Sequence, residues 1–146
     1  MGPEGIRAIA SAQLKRRSRL TARRALAGLA ARLEDGERVL HLASSHAGNG
    51  WQLIAVTDRR LVVLRRSGEP VEDVPYRSMR SLRAGRAGRY VEIHTDSLEL
   101  RLGGISEQFE EVCRLVHARI WEAHVEQLGE HATVRPTTLI GRAGFA

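Results

Sequence analysis

Residues 53–64 read LIAVTDRRLVVL and contain the clearest fold signal in the chain. Two short apolar runs, 53–56 and 61–64, are separated by four polar residues. Apolar runs of this length, rich in Val, Ile and Leu, are typical of buried strands. Thr57 and Asp58 can hydrogen-bond to nearby backbone groups and hold a tight turn between the runs. The stretch therefore predicts a β-hairpin.

Five further segments have strand character, and turn residues separate them. They are 39–43, 71–76, 79–83, 90–94 and 98–102. The residues GNG at 48–50 favour another hairpin, which precedes the hairpin of 53–64 in the chain. Seven short strands at close spacing are the pattern of an antiparallel barrel or sandwich.

Helical periodicity flanks the strands on both sides. In 6–33 two apolar stripes meet poorly near Ser18, which fits either one continuous helix or a second helix capped by Ser18. After the strands, an apolar stripe predicts a helix from a cap at Ser106 to about Leu128. The two regions together predict a core containing Leu53, Val56, Leu61, Val63, Ile93, Leu100, Phe109, Val112, Val116 and Ile120.

Three motifs occur in order along this region. Residues 33–39 read LEDGERV, residues 56–63 read VTDRRLVV, and residues 74–79 read VPYRSM. They resemble the domain entry, second hairpin and following step of bacterial pleckstrin-homology-like (PH-like) domains of the YokE type, over about residues 33–124. The resemblance implies a mainly β (α+β) fold. Its seven-stranded antiparallel barrel of two near-orthogonal sheets would be capped by the C-terminal helix, here with an extra N-terminal helix.

The division of the chain follows from these patterns. We expect a basic N-terminal helical segment at 1–33, the PH-like domain at 34–128 and a C-terminal tail at 129–146. Bacterial PH-like domains look like protein-interaction or assembly modules. In eukaryotic members the first inter-strand loop carries the cations that hold phosphoinositide headgroups, but 44–51 here reads SSHAGNGW, without a permanent cation. Trp51 in that segment is either a partner contact or a ring folded over a barrel end.

Charge is concentrated in the leader, by which we mean residues 1–33. The whole chain has a formal net charge of +6, whereas the leader alone has eight bases against one acid. The candidate contacts for a partner or an anion are Lys15, Arg16, Arg17, Arg19, Arg23 and Arg24, together with Arg60 at the hairpin exit. We expect whichever hairpin arginine faces outward to pair with Asp58 or Glu72.

Three uses of this charge remain open. The leader is a solvated helix packed on the barrel through Leu26, Leu29 and Leu33, or it is attracted to anionic lipid, or it binds nucleic acid without sequence preference. Its apolar face lacks the Trp and Phe that anchor interfacial helices. A nucleic-acid reading motif is also lacking.

The residue patterns of common enzymes are absent. The sequence contains no G-x-S-x-G, no phosphate-binding loop and no dinucleotide fingerprint. Cys113 and His117 are four apart and could place two metal ligands, but no second pair completes a site. Cys113 lies on the apolar stripe, which predicts a buried thiol. We therefore expect no catalytic residue, no metal, no cofactor and no small-molecule substrate.

These observations favour a non-enzymatic binding or scaffolding module that acts through protein contacts, with a protein partner or a second copy of the chain. The alternative is peripheral association with an anionic membrane, or less favourably with nucleic acid, through the basic leader. Apolar runs of about 18 residues are absent, as is a secretory signal, and there is a single cysteine. The expected location is therefore the cytoplasm, including the inner face of the membrane.

Overall fold

Seven antiparallel strands form two sheets in the computed structural model, which describes residues 1–47, 50–87, 89–105 and 108–130. The helices are α1 (Pro3–Gln13), α2 (Arg16–Thr21), α3 (Arg23–Arg32) and α4 (Phe109–Glu130). The strands are β1 (Val39–Ala47), β2 (Gly50–Thr57), β3 (Arg60–Arg65), β4 (Pro70–Pro75), β5 (Ser81–Gly85), β6 (Tyr90–His94) and β7 (Glu99–Leu102). A 3-10 turn, Tyr76–Ser78, connects β4 to β5.

The sheets follow the chain order. Strands β1-β2-β3-β4 form the larger sheet and β5-β6-β7 the smaller. The predicted hairpin is confirmed, with Leu53 opposite Leu64 and Val56 opposite Leu61. Two antiparallel sheets followed by a long C-terminal helix are a PH-like arrangement, and the predicted α+β fold class is confirmed.

One hydrophobic core lies between the two sheets and α4. Successive side chains of β6 and β7 alternate between buried and solvent-accessible positions, as expected for an antiparallel sheet with one solvated face. Helix α4 contributes the stripe that the sequence predicted. All ten residues predicted for the core are buried; Leu53 lies in the second core described below, and this core contains the other nine, Val56, Leu61, Val63, Ile93, Leu100, Phe109, Val112, Val116 and Ile120.

A second core, which we call the helix-side core, lies on the opposite face of the larger sheet. There the leader helices cover the outward-facing side chains of β1, β2 and β3, including Leu42, Leu53, Ala55, Val62 and Leu64. The leader supplies apolar residues at helical spacing, among them Ile6, Ala10, Leu14, Ala25 and Leu29. Strands β2 and β3 are therefore buried on both faces, and the leader packs on the sheet as part of the folded unit.

The leader matches neither of the two arrangements expected, one continuous helix or a second helix capped by Ser18. It forms three helices: Leu14 and Lys15 adopt extended conformations (ψ 138° and 149°) between α1 and α2, and Ala22 (ψ −5°) separates α2 from α3. Ser18 lies inside α2 and caps neither neighbour, since the N-cap positions of α2 and α3 are Lys15 and Ala22. The break lets α1 and α3 place separate apolar stripes on the sheet, which is why the stripes do not join in the sequence.

Two other expectations concern the ends of elements. Helix α4 runs through Gly129 to Glu130, slightly beyond the expected end at Leu128. The expected cap at Ser106, residues 48 and 49 of the GNG turn, and the tail from 131 to 146 lie outside the described residues.

Candidate functional site

The six leader bases are placed on the outside of α2 and α3. Lys15, Arg16, Arg17, Arg23 and Arg24 are exposed and Arg19 is half-buried. Among the described residues none of the six forms an ion pair with a carboxylate. Most arginines of the rest of the fold behave differently: those at 38, 59, 60, 80, 86, 101, 114 and 119 each pair with an Asp or Glu. The uncompensated positive charge is thus concentrated on the leader.

Leu20 lies in the middle of these bases, and 77% of its surface is exposed. It lines two neighbouring concavities. One, of about 810 Å³, lies between α1 and α3. The other, of about 580 Å³, lies where α2 and α3 meet the turn between β3 and β4. We call Leu20, the six leader bases and Arg66 the basic face.

The larger concavity is a groove with an apolar floor and a charged rim. Ile6 and Ala10 of α1 are almost fully buried at its base, and Leu26, Ala27 and Ala30 of α3 supply its exposed apolar surface. At the rim stand Arg7, Arg19 and Arg23, with Leu20 beside them. Because the floor is apolar and the rim is cationic, the groove suits a ligand that is both apolar and acidic.

Arg66 joins the basic face from a distant part of the chain. Together with Ser67 it lines the smaller concavity, opposite Arg23 and Arg24. A close contact between α3 and the β3–β4 turn brings these segments together. Sequence reasoning missed Arg66, since nothing in the local pattern indicates which helix the turn touches.

Arg60 is held in an internal network. Its Nε and Nη2 donate to the two carboxylate oxygens of Glu37, at 2.9 and 2.8 Å, and Nη2 also donates to the carbonyl of Arg32 at 2.8 Å. Nη1 pairs with Asp73. Glu37 is fully buried and also accepts a hydrogen bond of 2.7 Å from Thr57 Oγ1. The guanidinium therefore connects the end of α3, the entry to β1, the hairpin and β4.

The charge state of this pair follows from its contacts. Burial by itself would raise the pKa of Glu37, but hydrogen bonds from Arg60, the Glu34 backbone and Thr57 together hold that pKa below its usual value. The hydrogen bond to Glu37 raises the pKa of Arg60. Both groups are consequently ionised at neutral pH, and the contact is a buried, bidentate salt bridge.

The expected partners of the hairpin arginines were wrong. Arg59, the exposed one, pairs with Glu34 at 2.9 Å rather than with Asp58 or Glu72. Asp58 instead faces Arg38, whose backbone N–H donates to it at 2.9 Å. The partners come from the segment before β1, which folds against the hairpin through tertiary contacts that no local pattern encodes.

Trp51 is half-buried and packs against the helix-side core, opposite His46 in β1. It faces the leader rather than a barrel end. Its indole Nε1 is buried and has no hydrogen-bond acceptor among the described residues. The ring serves here as part of the contact between the sheet and the leader.

One group among the described residues has the composition of a metal site. Glu92, His94 and Glu99, on the outer face of β6 and β7, have donor atoms within 4.8 Å of one another. His94 Nε2 already lies 2.9 Å from Glu92 Oε1, a hydrogen bond that lowers the pKa of Glu92. Arg83 and Arg101 also stabilise the ionised Glu92. Arginines beside the carboxylate disfavour a further cation, and a cross-strand charge network accounts for the arrangement.

Cys113 is buried, as predicted. Burial raises the pKa of its thiol to about 12, so that the thiol stays protonated and is a poor metal ligand. His124 on the same helix is also buried, and its Nε2 lies 2.9 Å from the carbonyl oxygen of Met79. Both side chains hold α4 against the sheets.

A scan against protein-family models finds no match for this chain, and a search of curated proteins finds none either. In the part of the chain that the structure describes, every helix is too short or too polar to cross a bilayer. What the chain does is therefore inferred from its fold and its surfaces.

Proposed function

We propose that the chain is a non-enzymatic binding module of the bacterial PH-like family, which acts through protein contacts at its basic face. The PH-like arrangement of sheets and helix, and the three motifs in the order typical of that family, support the family assignment. The basic face supports the binding role.

The observation that carries the proposal is the clustering of unpaired arginines around an exposed leucine. Like charges held together on a rigid scaffold repel one another and lower stability. A carboxylate-bearing partner would remove that repulsion and gain electrostatic complementarity, while Leu20 would be buried in the contact. Apolar surface ringed by charge on a concave site is also the usual anatomy of a protein interface.

The ionisable groups of a third concavity support a non-enzymatic role. This shallow site of about 250 Å³ lies between the hairpin and α4. Of its six charged side chains, Asp58, Arg59, Arg119 and Glu122 are in ion pairs, whereas Arg77 and Glu126 form none within the described residues. Burial strongly raises the pKa of the neighbouring Tyr76, whose hydroxyl donates to the Thr57 carbonyl at 2.7 Å. These contacts hold the fold together. None of the ion-paired side chains, nor Tyr76, is an activated nucleophile or base.

A second candidate is attachment to an anionic membrane, and the exposure of Leu20 among arginines favours it. Each base near such a surface contributes roughly 1 kcal/mol, and burying one leucine adds about 1.5–3 kcal/mol. However, the exposed apolar surface of Leu26, Ala27 and Ala30 lies in the groove between α1 and α3, where a flat bilayer would not reach it. The face also lacks an aromatic anchor. A protein segment that fills the groove uses more of this surface.

Site-specific photo-crosslinking in living cells tests the proposal. The whole chain is needed, because removing the leader would expose the helix-side core. A photoreactive residue at position 20 should give a discrete protein adduct, and the same residue at position 121 should not, although Trp121 is also exposed. Changing Arg16, Arg17, Arg23 and Arg24 to Gln should abolish the adduct without lowering the thermal midpoint. Lipid adducts alone at position 20 would favour the membrane candidate and reject the proposal.

A further inference from the structure

We infer that the groove between α1 and α3 binds an acidic amphipathic α-helix from a partner protein. This inference rests on the proposed function and specifies the chemistry of the partner. Its evidence lies in the shape of the groove, the chemistry of its floor and the charge on its rim.

The lining of the groove has a shape against which a ligand helix can pack. Leu26 and Ala30 are four residues apart and form a partly exposed ridge of α3, whereas Ile6 and Ala10 of α1 are buried at the base of the groove. Ala27 and Ala30 are small and leave a trough through which another backbone can approach closely. Helix α1 has 11 residues, which corresponds to a length of roughly 16 Å. A ligand helix of about three turns, with apolar anchors at i, i+3 or i+4 and i+7, matches that length.

The rim selects for negative charge. Arg7, Arg19 and Arg23 line the groove, and none of them forms an ion pair within the described part of the chain. A ligand helix with Glu or Asp beside its apolar stripe would pair with these guanidinium groups. A basic helix would be rejected by like-charge repulsion.

The leader of a second copy and residues 131–146 are poor occupants, and the apolar stripe of a second copy's acidic helix α4 is buried in its own core. A second copy would bring a leader with eight bases against one acid, and residues 131–146 contain two arginines and no acidic residue. Nucleic acid and anionic bilayers can pair with the arginines of the rim, but they leave the apolar floor exposed to solvent. The acidic helix is the ligand that satisfies both parts of the groove.

Fluorescence anisotropy on the full chain tests this inference with defined probes. The first probe is a labelled synthetic helix of three to four turns, with a leucine stripe and glutamates on both sides. The second has the same composition in scrambled order, and the third carries Lys for each Glu. At about 0.15 M salt, we expect the first probe to bind at least about tenfold more tightly than the second. The third should not bind.

Variants of the groove measure the contributions of its floor and its rim to binding separately. Ala27→Asp and Leu20→Ser change exposed positions and should weaken binding of the first probe at least about fivefold without lowering the thermal midpoint. The matched control Trp121→Ser, on the far helix α4, should leave binding unchanged. Arg7, Arg19 and Arg23 changed together to Gln should remove the preference for the acidic probe over its lysine version.

Three results would overturn the inference. The first is equal binding of the ordered and scrambled acidic probes, and the second is absence of binding of the first probe at concentrations up to about 1 mM. The third is binding of the protein to phosphatidylglycerol vesicles or duplex DNA that is tighter than its binding to the first probe and is not changed by Ala27→Asp. If any of these occurs while position 20 still crosslinks to a protein, the proposed function stands and the helix groove does not.

Discussion

Gly28 of α3 packs backbone to backbone against Gly68 in the turn between β3 and β4. A Cβ on Gly28 would lie 2.6 Å from the carbonyl oxygen of Gly68, which is closer than such atoms can approach. Gly68 has a φ of +94°, in the region that favours glycine, and a Cβ there would meet the carbonyl oxygen of Arg24 at 2.8 Å. This pair sets the distance between the leader and the sheet and brings Arg66 next to α3.

Gly28→Ala should destabilise the fold, although alanine is the better helix former by up to about 1 kcal/mol. The methyl group would force α3 away from the turn, and overpacking of this kind costs about 1–3 kcal/mol. Urea denaturation followed by circular dichroism measures the difference. Gly129→Ala is the matched control, because a Cβ there meets nothing within 4 Å. An unchanged or increased stability for Gly28→Ala would show that the contact is looser than described.

Leu29→Ala should reduce the free energy of unfolding by about 3 kcal/mol, since it opens a cavity between α3 and the sheet. Leu29 is fully buried in the helix-side core. Leu20→Ala removes the same atoms from an exposed position of the leader and should change stability by less than about 0.5 kcal/mol. Similar losses in the two variants, measured by thermal or urea unfolding, would contradict the packing of the leader on the sheet.

Val112→Asp should prevent cooperative folding. The side chain lies in the core between the sheets and α4, where a carboxylate would be buried without a partner. Val125→Asp places the same group on an exposed position of α4 and should fold normally. Near-ultraviolet circular dichroism and a thermal melt distinguish the two. A soluble Val112→Asp chain with a normal melt would remove α4 from the core.

Glu37→Gln should lower stability at neutral pH by on the order of 2 kcal/mol, because it replaces charge-assisted hydrogen bonds with neutral ones. The folded pKa of Glu37 lies below the usual 4.5. Its ionised form therefore stabilises the fold fully above about pH 5, and this contribution is lost as the pH falls through the folded pKa. The variant should accordingly lose less stability than the parent between neutral and acidic pH. If the thermal midpoints of the variant and the parent fell in parallel as the pH is lowered, the Glu37–Arg60 pair would not be the cause of the loss of stability in acid.

The strands were predictable because their local patterns are complete. The alternation at 90–94 coincides with β6, and the run at 61–64 lies within β3, which extends one residue further at each end. The stripe through Phe109 and Val112 likewise sufficed to place α4 against the core. These features depend on the order of residues within one element, which periodicity reports directly.

The relation of the leader to the sheet was harder to predict, although one signal was present. The runs 53–56 and 61–64 are continuously apolar, which indicates strands covered on both faces, whereas 90–94 alternates as a one-sided strand does. The partners of Arg60 could not be found in this way. Glu37 and Asp73 lie 23 and 13 residues from it, and fold geometry alone brings them together. Arg66 belongs to the basic face for the same kind of reason.

The burial of β2 and β3 on both faces has a consequence for how the molecule opens. Their amides lie in the middle of a four-stranded ladder, with leader helices on one side and the second sheet and α4 on the other. Hydrogen exchange at these amides should require separation of both layers and should therefore report global unfolding, while β5 to β7 exchange earlier through local opening. A ligand that holds the leader in place would slow exchange deep within the larger sheet, far from any atom it touches.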